Sequence, residues 1–298
     1  MKVTITGASG LVGRRLIQLL LEEGHSLHAL SRGGAAGFPE GVRVARWDPL
    51  SAEPPAGSLE GAQAVVHLAG EPVAQRWTAE VKRKIRDSRV QGTRRLVEGL
   101  STLSPRPAAL VSASAVGFYG SRGDELLTEA SAPGSGFLAE TCQEWERQAE
   151  LAESLGIRVA KIRIGVVLAP HGGALKRMLP AFRAFAGGRL ASGRQWMSWI
   201  HLDDLAALIR HAITAPVMGP VNATAPNPVT NAGFTRALAA ALGRPAIFPV
   251  PGFVVRTVFG EMSEVLLSSQ RALPKAAEAS GFRFRYPEAG MALRQMLQ

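Results

Sequence analysis

Thr6-Gly7-Ala8-Ser9-Gly10-Leu11-Val12-Gly13 is the stretch on which the fold turns. Residues 3–7 before it, Val-Thr-Ile-Thr-Gly, read as a short buried strand. Residues 11–23 place Leu11, Val12, Leu16, Ile17, Leu19 and Leu20 around Arg14, Arg15 and Gln18, and Gly24 closes the run. That spacing predicts a helix. A G-x-x-G-x-x-G pattern alone is a weak signal. Between a strand and a helix it becomes a dinucleotide-binding turn. Gly7 permits the tight turn, Gly10 lets backbone approach a pyrophosphate, and Gly13 lets helix and strand pack closely. The helix N-terminus adds free N–H groups and partial positive charge. Ser9, Leu11 and Val12 are candidate contacts from the same turn.

Working outward, Ser26–Leu30, Val42–Trp47, Ala64–Leu68, Ala108–Ser112 and Val159–Ile164 read as further strands. Residues 78–102 and 137–154 read as helices. Asp48–Gly61 is rich in Pro, Gly and Ser and reads as loop. The alternation predicts an α/β protein, a Rossmann-type doubly wound parallel sheet with helices on both faces. The end of the second strand then selects the cofactor. An NAD site places an acid there for the ribose 2′-hydroxyl. This chain has Ser31-Arg32-Gly33-Gly34, and an arginine suits a 2′-phosphate. NADP(H) is therefore the expected cofactor, with Ser31 and Arg32 in its site.

After Pro170 the pattern changes, and Gly and Pro recur at short intervals. Residues 231–242 and 252–268 read as helices, and Phe282–Pro287 as a short strand. The expected division is a cofactor domain over 1–170 and a smaller substrate region over 171–298, with part of the latter returning to the sheet. Gly187–Gly193 is a candidate mobile cover.

Of 298 residues, 46% are hydrophobic and 19% charged, which excludes a disordered chain. One cysteine, Cys142, excludes a disulfide framework or a Cys-based metal site within the chain. No apolar run reaches the roughly 18 residues a membrane span needs. A cytoplasmic protein follows as the expectation, monomer or homodimer. The net charge of +10 invites a nucleic-acid reading, but the 28 arginines are spread along the chain and no nucleic-acid motif accompanies them. A basic surface with a site for a phosphate-bearing ligand is preferred.

Further motifs appear in order. They are His67-Leu68-Ala69-Gly70-Glu71, Val90-Gln91-Gly92-Thr93, Ser112–Gly120 around Ser114, Ile162–Pro170, and Trp199-Ile200-His201-Leu202-Asp203-Asp204. Together they resemble the extended, epimerase-like branch of the short-chain dehydrogenase/reductase superfamily. Arg76-Trp77, Gly193–His201, Asn222–Pro226 and Gly281–Pro287 are similar to one subgroup, the "epimerase family proteins" with a C-terminal domain of unknown function. The resemblance covers nearly the whole chain. It implies that Leu68, Ala69, Gly70, Glu71, Ile164 and Val166 line the cofactor.

It also implies an Asn–Ser–Tyr–Lys catalytic set, and here the chain departs. Arg89 stands at the Asn position, Phe137 at the Tyr and Thr141 at the Lys. Ser114 remains. Tyr119 and Tyr286 are the only tyrosines, and neither has a lysine four residues later. Ser114 and Tyr119 are the candidate catalytic residues, with Glu140, Cys142, Glu144 and His201 as other proton carriers. Arg163 and Arg89 are candidates for an anionic substrate or for a buried pair with Glu146. Three functions follow: an NADP(H)-dependent oxidoreductase on an unidentified small molecule, a non-catalytic NADP(H)-binding sensor or scaffold, and, less well supported, a nucleotide-sugar epimerase.

Overall fold

The computed structural model describes residues 1–297. Its centre is a sheet of seven parallel strands: β1 (Lys2–Thr6), β2 (Ser26–Ser31), β3 (Val42–Arg46), β4 (Ala64–His67), β5 (Ala109–Ala115), β6 (Arg158–Ile164) and β7 (Gly219–Ala223). Their order across the sheet is β7-β6-β5-β4-β1-β2-β3. The first six strands follow the doubly wound Rossmann order, as the sequence predicts. The seventh comes from beyond residue 170 and pairs with β6 from Gly219 opposite Ala160 to Ala223 opposite Ile164.

Both faces of the sheet are buried, so the strands read as near-continuous apolar runs. On one face Val3, Ile5 and Val66 pack against α1 (Leu11–Glu22). On the other Val65, Leu110 and Val159 pack against α2 (Ala79–Ser101) and against Ala149 of α3 (Phe137–Glu150). Thr78 caps α2 by accepting the Val81 N–H at 3.2 Å. The buried stripe of α2 runs through Ile85, Ser88, Gly92, Leu96 and Leu100, one residue per turn. Its small members allow close approach: a Cβ on Gly92 would stand 2.7 Å from Pro49. Arg83, Lys84, Arg86 and Arg94 face solvent.

The C-terminal half wraps back onto this core. After α4 (Gly173–Arg183), α5 (Leu202–Thr214) joins α1 beneath the sheet through Leu205, Leu208 and Ile209. α6 (Asn231–Leu242) packs on a last helix, Ala289–Leu297, through Phe234, Leu238 and Leu293.

Three local expectations change. Phe282–Pro287 is not a strand. The N–H groups of Arg285 and Tyr286 donate instead to the Asp204 carboxylate, each at 2.9 Å, which leaves no ladder to form. The helix expected over 252–268 breaks at Gly260 (φ +57°) into Gly252–Phe259 and Ser263–Leu267. One helical turn, Ala56–Leu59, interrupts the loop expected over 48–61.

Candidate functional site

A doubly wound sheet opens a crevice at its carboxyl edge where the strand order reverses, here between β1 and β4. The cleft found there is lined by Gly7, Ser9 and Gly10 after β1, by Ser31 and Arg32 at the end of β2, and by Leu68–Pro72 after β4. Gly7 is required. It holds φ +63°, and a Cβ would lie 2.5 Å from the Leu68 carbonyl carbon. Gly13 is required too, since its Cβ would lie 2.6 Å from the Gly7 carbonyl oxygen. No side chain caps α1 at Gly10, and no acid occupies its first turn. Its leading N–H groups and dipole stay available to an anion.

The wall after β4 hangs on Thr6. Its hydroxyl accepts the N–H of Leu68 and of Ala69, each at 3.2 Å. The hydroxyl proton is left for His67 Nδ1 at 2.7 Å, and Nε2–H then donates to Thr93 Oγ1 at 3.0 Å. Burial, aided by the Arg89 charge, lowers the His67 pKa to about 3. The ring is a neutral strut.

Ser31, Arg32 and Glu71 meet at one corner of the cleft. The Ser31 hydroxyl donates to Ser9 Oγ at 3.3 Å, and Arg32 Nη1 donates to Glu71 Oε2 at 3.3 Å. Of the other expected cofactor contacts, Leu11 and Val12 form the first turn of α1. Ile164 and Val166 lie outside the cleft lining, against the sheet core and the C-terminal core respectively. Trp47, Asp48, Pro49 and Leu50 line the cleft and were not singled out from sequence, nor was Ser88. Trp47–Leu50 directly follow β3, so the carboxyl-edge rule was the signal that could have found them.

The expected catalytic residues are outside this lining: Ser114 is on β5, and Tyr119 ends the short turn that follows it. Ser114 donates to Glu146 Oε1 at 2.7 Å. Arg163 grips the same carboxylate with two nitrogens, at 2.8 and 2.9 Å, with both side chains about 95% buried (4% and 5% exposed). Its Nη1 donates to Tyr119 Oη at 2.9 Å, and that hydroxyl lies 2.7 Å from Asn222 Oδ1 on β7. Burial raises the Tyr119 pKa, with Arg163 opposing. Of the two readings open for Arg163, the structure shows the buried pair with Glu146. Arg89 instead donates to the Glu71 and Ile85 carbonyls and stacks over Trp145.

At the departed dyad, Phe137 packs edge-on against Trp77, centroids 5.2 Å apart, and Thr141 donates to the Phe137 carbonyl at 2.6 Å. Burial pushes the Cys142 thiol up to about 11, so it is no nucleophile near neutrality. His201 caps α5, its Nδ1 accepting the Asp203 N–H at 3.0 Å, and burial lowers its pKa. The candidate cover is pinned, with Val250 donating to Arg189 and accepting from Ala191, both at 2.8 Å.

A model of the NAD dependent epimerase/dehydratase family matches residues 3–225, and a domain of unknown function, DUF1731, matches residues 250–296. "Epimerase family protein SDR39U1 homolog, chloroplastic" of Arabidopsis thaliana is 42% identical, covering 100% of this chain and 87% of its own. "Epimerase family protein YfhF" of Bacillus subtilis is 38% identical, covering 100% and 98%. The solved human epimerase family protein SDR39U1 (isoform 2) with NADPH superposes with a TM-score of 0.90 at 33% identity, covering 100% and 99%. Among the described residues no helix is long and apolar enough to cross a membrane. With its glycine turn, its strand order and its matched C-terminal segment, the chain belongs to the NAD dependent epimerase/dehydratase family, in the group that ends in DUF1731.

Proposed function

We propose that the protein binds NADP(H) in the cleft between β1 and β4 and acts as an oxidoreductase on a small molecule. One observation carries the cofactor choice: Arg32 closes the same cleft as the glycine turn, and no acid ends β2. The human relative solved with NADPH supports it. The residues present fit the group. Gly7 and Gly10 leave backbone bare at an uncapped helix N-terminus, and Arg32 offers a fork to a 2′-phosphate.

Bound NADPH supplies a hydride. The chain's difficulty is the proton that follows, because Phe137 and Thr141 carry no relay. A simple ketone would become an alkoxide about as basic as hydroxide, whose parent water has a pKa of about 15.7. A quinone would become a phenolate-like anion of pKa about 10, which solvent protonates readily. The favoured acceptors are therefore those whose reduced anion is weakly basic. Epimerisation of a nucleotide sugar needs the absent tyrosine and is not favoured.

The second reading, an NADP(H)-binding protein without turnover, is favoured by the satisfied state of Ser114 and Tyr119. Either must leave Glu146 or Asn222 before it can serve a substrate. Titration of the purified protein with NADPH and NADH tests the cofactor. Preference for NADPH of at least about tenfold, or 1.4 kcal/mol, is expected, and Arg32→Ala should erase it. Equal affinities would overturn the assignment. NADPH oxidation with a quinone panel then separates enzyme from sensor. Ser114→Ala and Tyr119→Phe should abolish turnover, with NADPH affinity and denaturation midpoint unchanged, if those hydroxyls touch the substrate.

A further inference from the structure

Arg32 and Glu71 follow different strands, β2 and β4, 39 positions apart, and meet at the corner expected to take the 2′-phosphate. They are not equally free. The Glu71 side chain is 20% exposed and Arg32 59%. Glu71 is tied on several sides. Its N–H donates to Ser88 Oγ at 2.9 Å, its carbonyl accepts from Arg89 at 3.0 Å, and Oε1 accepts from Gln75 at 3.3 Å. Arg32 has a long, solvated stem, and its guanidinium bonds Glu71. The carboxylate is the fixed member of the pair and the guanidinium the movable one.

Carboxylate and phosphate seek the same guanidinium fork. We infer that Glu71 limits the cofactor discrimination that Arg32 gives the cleft, by holding Arg32 in an ion pair that the 2′-phosphate of NADP(H) must displace. The inference rests on the NADP(H) assignment above and deepens it. After displacement Glu71 stays in place, and its charge faces a group of about −1.5 to −2. Competition and repulsion both weaken NADP(H) binding. Neither touches NAD(H), which carries a hydroxyl at that position. The pair thus restrains a preference that Arg32 alone would make larger.

Glu71→Gln keeps the shape and the acceptor for Gln75 and removes the charge. NADPH should bind about tenfold tighter to this variant at low ionic strength, while NADH changes less than about twofold. The gain should shrink as salt is raised, because the corner is partly exposed. In an Arg32→Ala background it should fall below about threefold, since competition for the guanidinium is gone. Glu71→Asp, which withdraws the carboxylate by one methylene, should give a smaller gain of the same sign. Unchanged or weaker NADPH binding, or an equal change for NADH, would overturn the inference. Weakening of both cofactors would make Glu71 a direct cofactor contact. If the unaltered protein binds neither cofactor, the NADP(H) assignment itself fails. If it binds NADPH and the variants match it, only the role of Glu71 fails.

Discussion

The carboxyl edge of the sheet has two ends built on opposite principles. Between β1 and β4 the chain turns polar groups outward: bare glycine backbone, an uncapped helix start, and an arginine held by one exposed ion pair. Around the ends of β5 and β6 every polar group of Ser114, Glu146, Arg163 and Tyr119 named above finds its partner inside the protein. Unsatisfied polarity costs stability unless a ligand or water meets it, so the first end suits a ligand better than the second. The second holds β5, β6, β7 and α3 together.

Breaking the second end should cost most. Glu146→Ala leaves Arg163 charged and unpaired in the interior, and an unfolding free energy about 3–5 kcal/mol lower is expected from denaturant titration. NADPH affinity of the folded fraction should not change. A loss of affinity without a loss of stability would reverse the roles of the two ends. Gly7→Ala attacks the first end. It puts a side chain in left-handed backbone and a Cβ 2.5 Å from the Leu68 carbonyl carbon. A loss of about 1–3 kcal/mol is expected by the same titration, and NADPH binding should weaken by at least about tenfold. Unimpaired binding would mean that the turn does not cradle the cofactor.

A smaller effect sharpens the contrast at its hinge, His67. Its ordinary pKa is 6.5 and its folded one about 3, so between these values the unfolded chain binds a proton that the folded chain refuses. Stability therefore falls as pH drops below 6.5 and is intact above it. For one group the slope is up to about 1.4 kcal/mol per pH unit. Denaturant titrations at pH 7 and pH 5 should show a steeper acid loss in the unaltered protein than in His67→Gln. Equal slopes would mean that the ring takes up its proton in the folded state.

The binding end was largely legible in the sequence because it is local. Gly7 to Gly13 and Ser31-Arg32 each carry their meaning within one strand–turn unit. Arg32 and Glu71 individually were legible, but their pairing was not, because it depends on β1 lying between β2 and β4. The other end is non-local, and only its Arg163–Glu146 pair stood among the alternatives the sequence offered. Tyr119 meets Asn222 across 103 positions, and no periodicity announces such a contact. The same holds for Phe282–Pro287, whose alternating aromatics suit a strand until Asp204 takes its N–H groups. Gly219–Ala223 was hidden differently, as five residues in Gly- and Pro-punctuated sequence.

That last strand joins the two halves of the chain in one sheet. A fragment ending near residue 170 would leave β6 with a bare row of N–H and C=O groups where β7 now lies, and long exposed strand edges recruit other chains. It would also strip α5 from the sheet face that it shares with α1. Expressed alone, the glycine-turn half should aggregate, and reporter fusions or crystallisation trials should keep the chain whole.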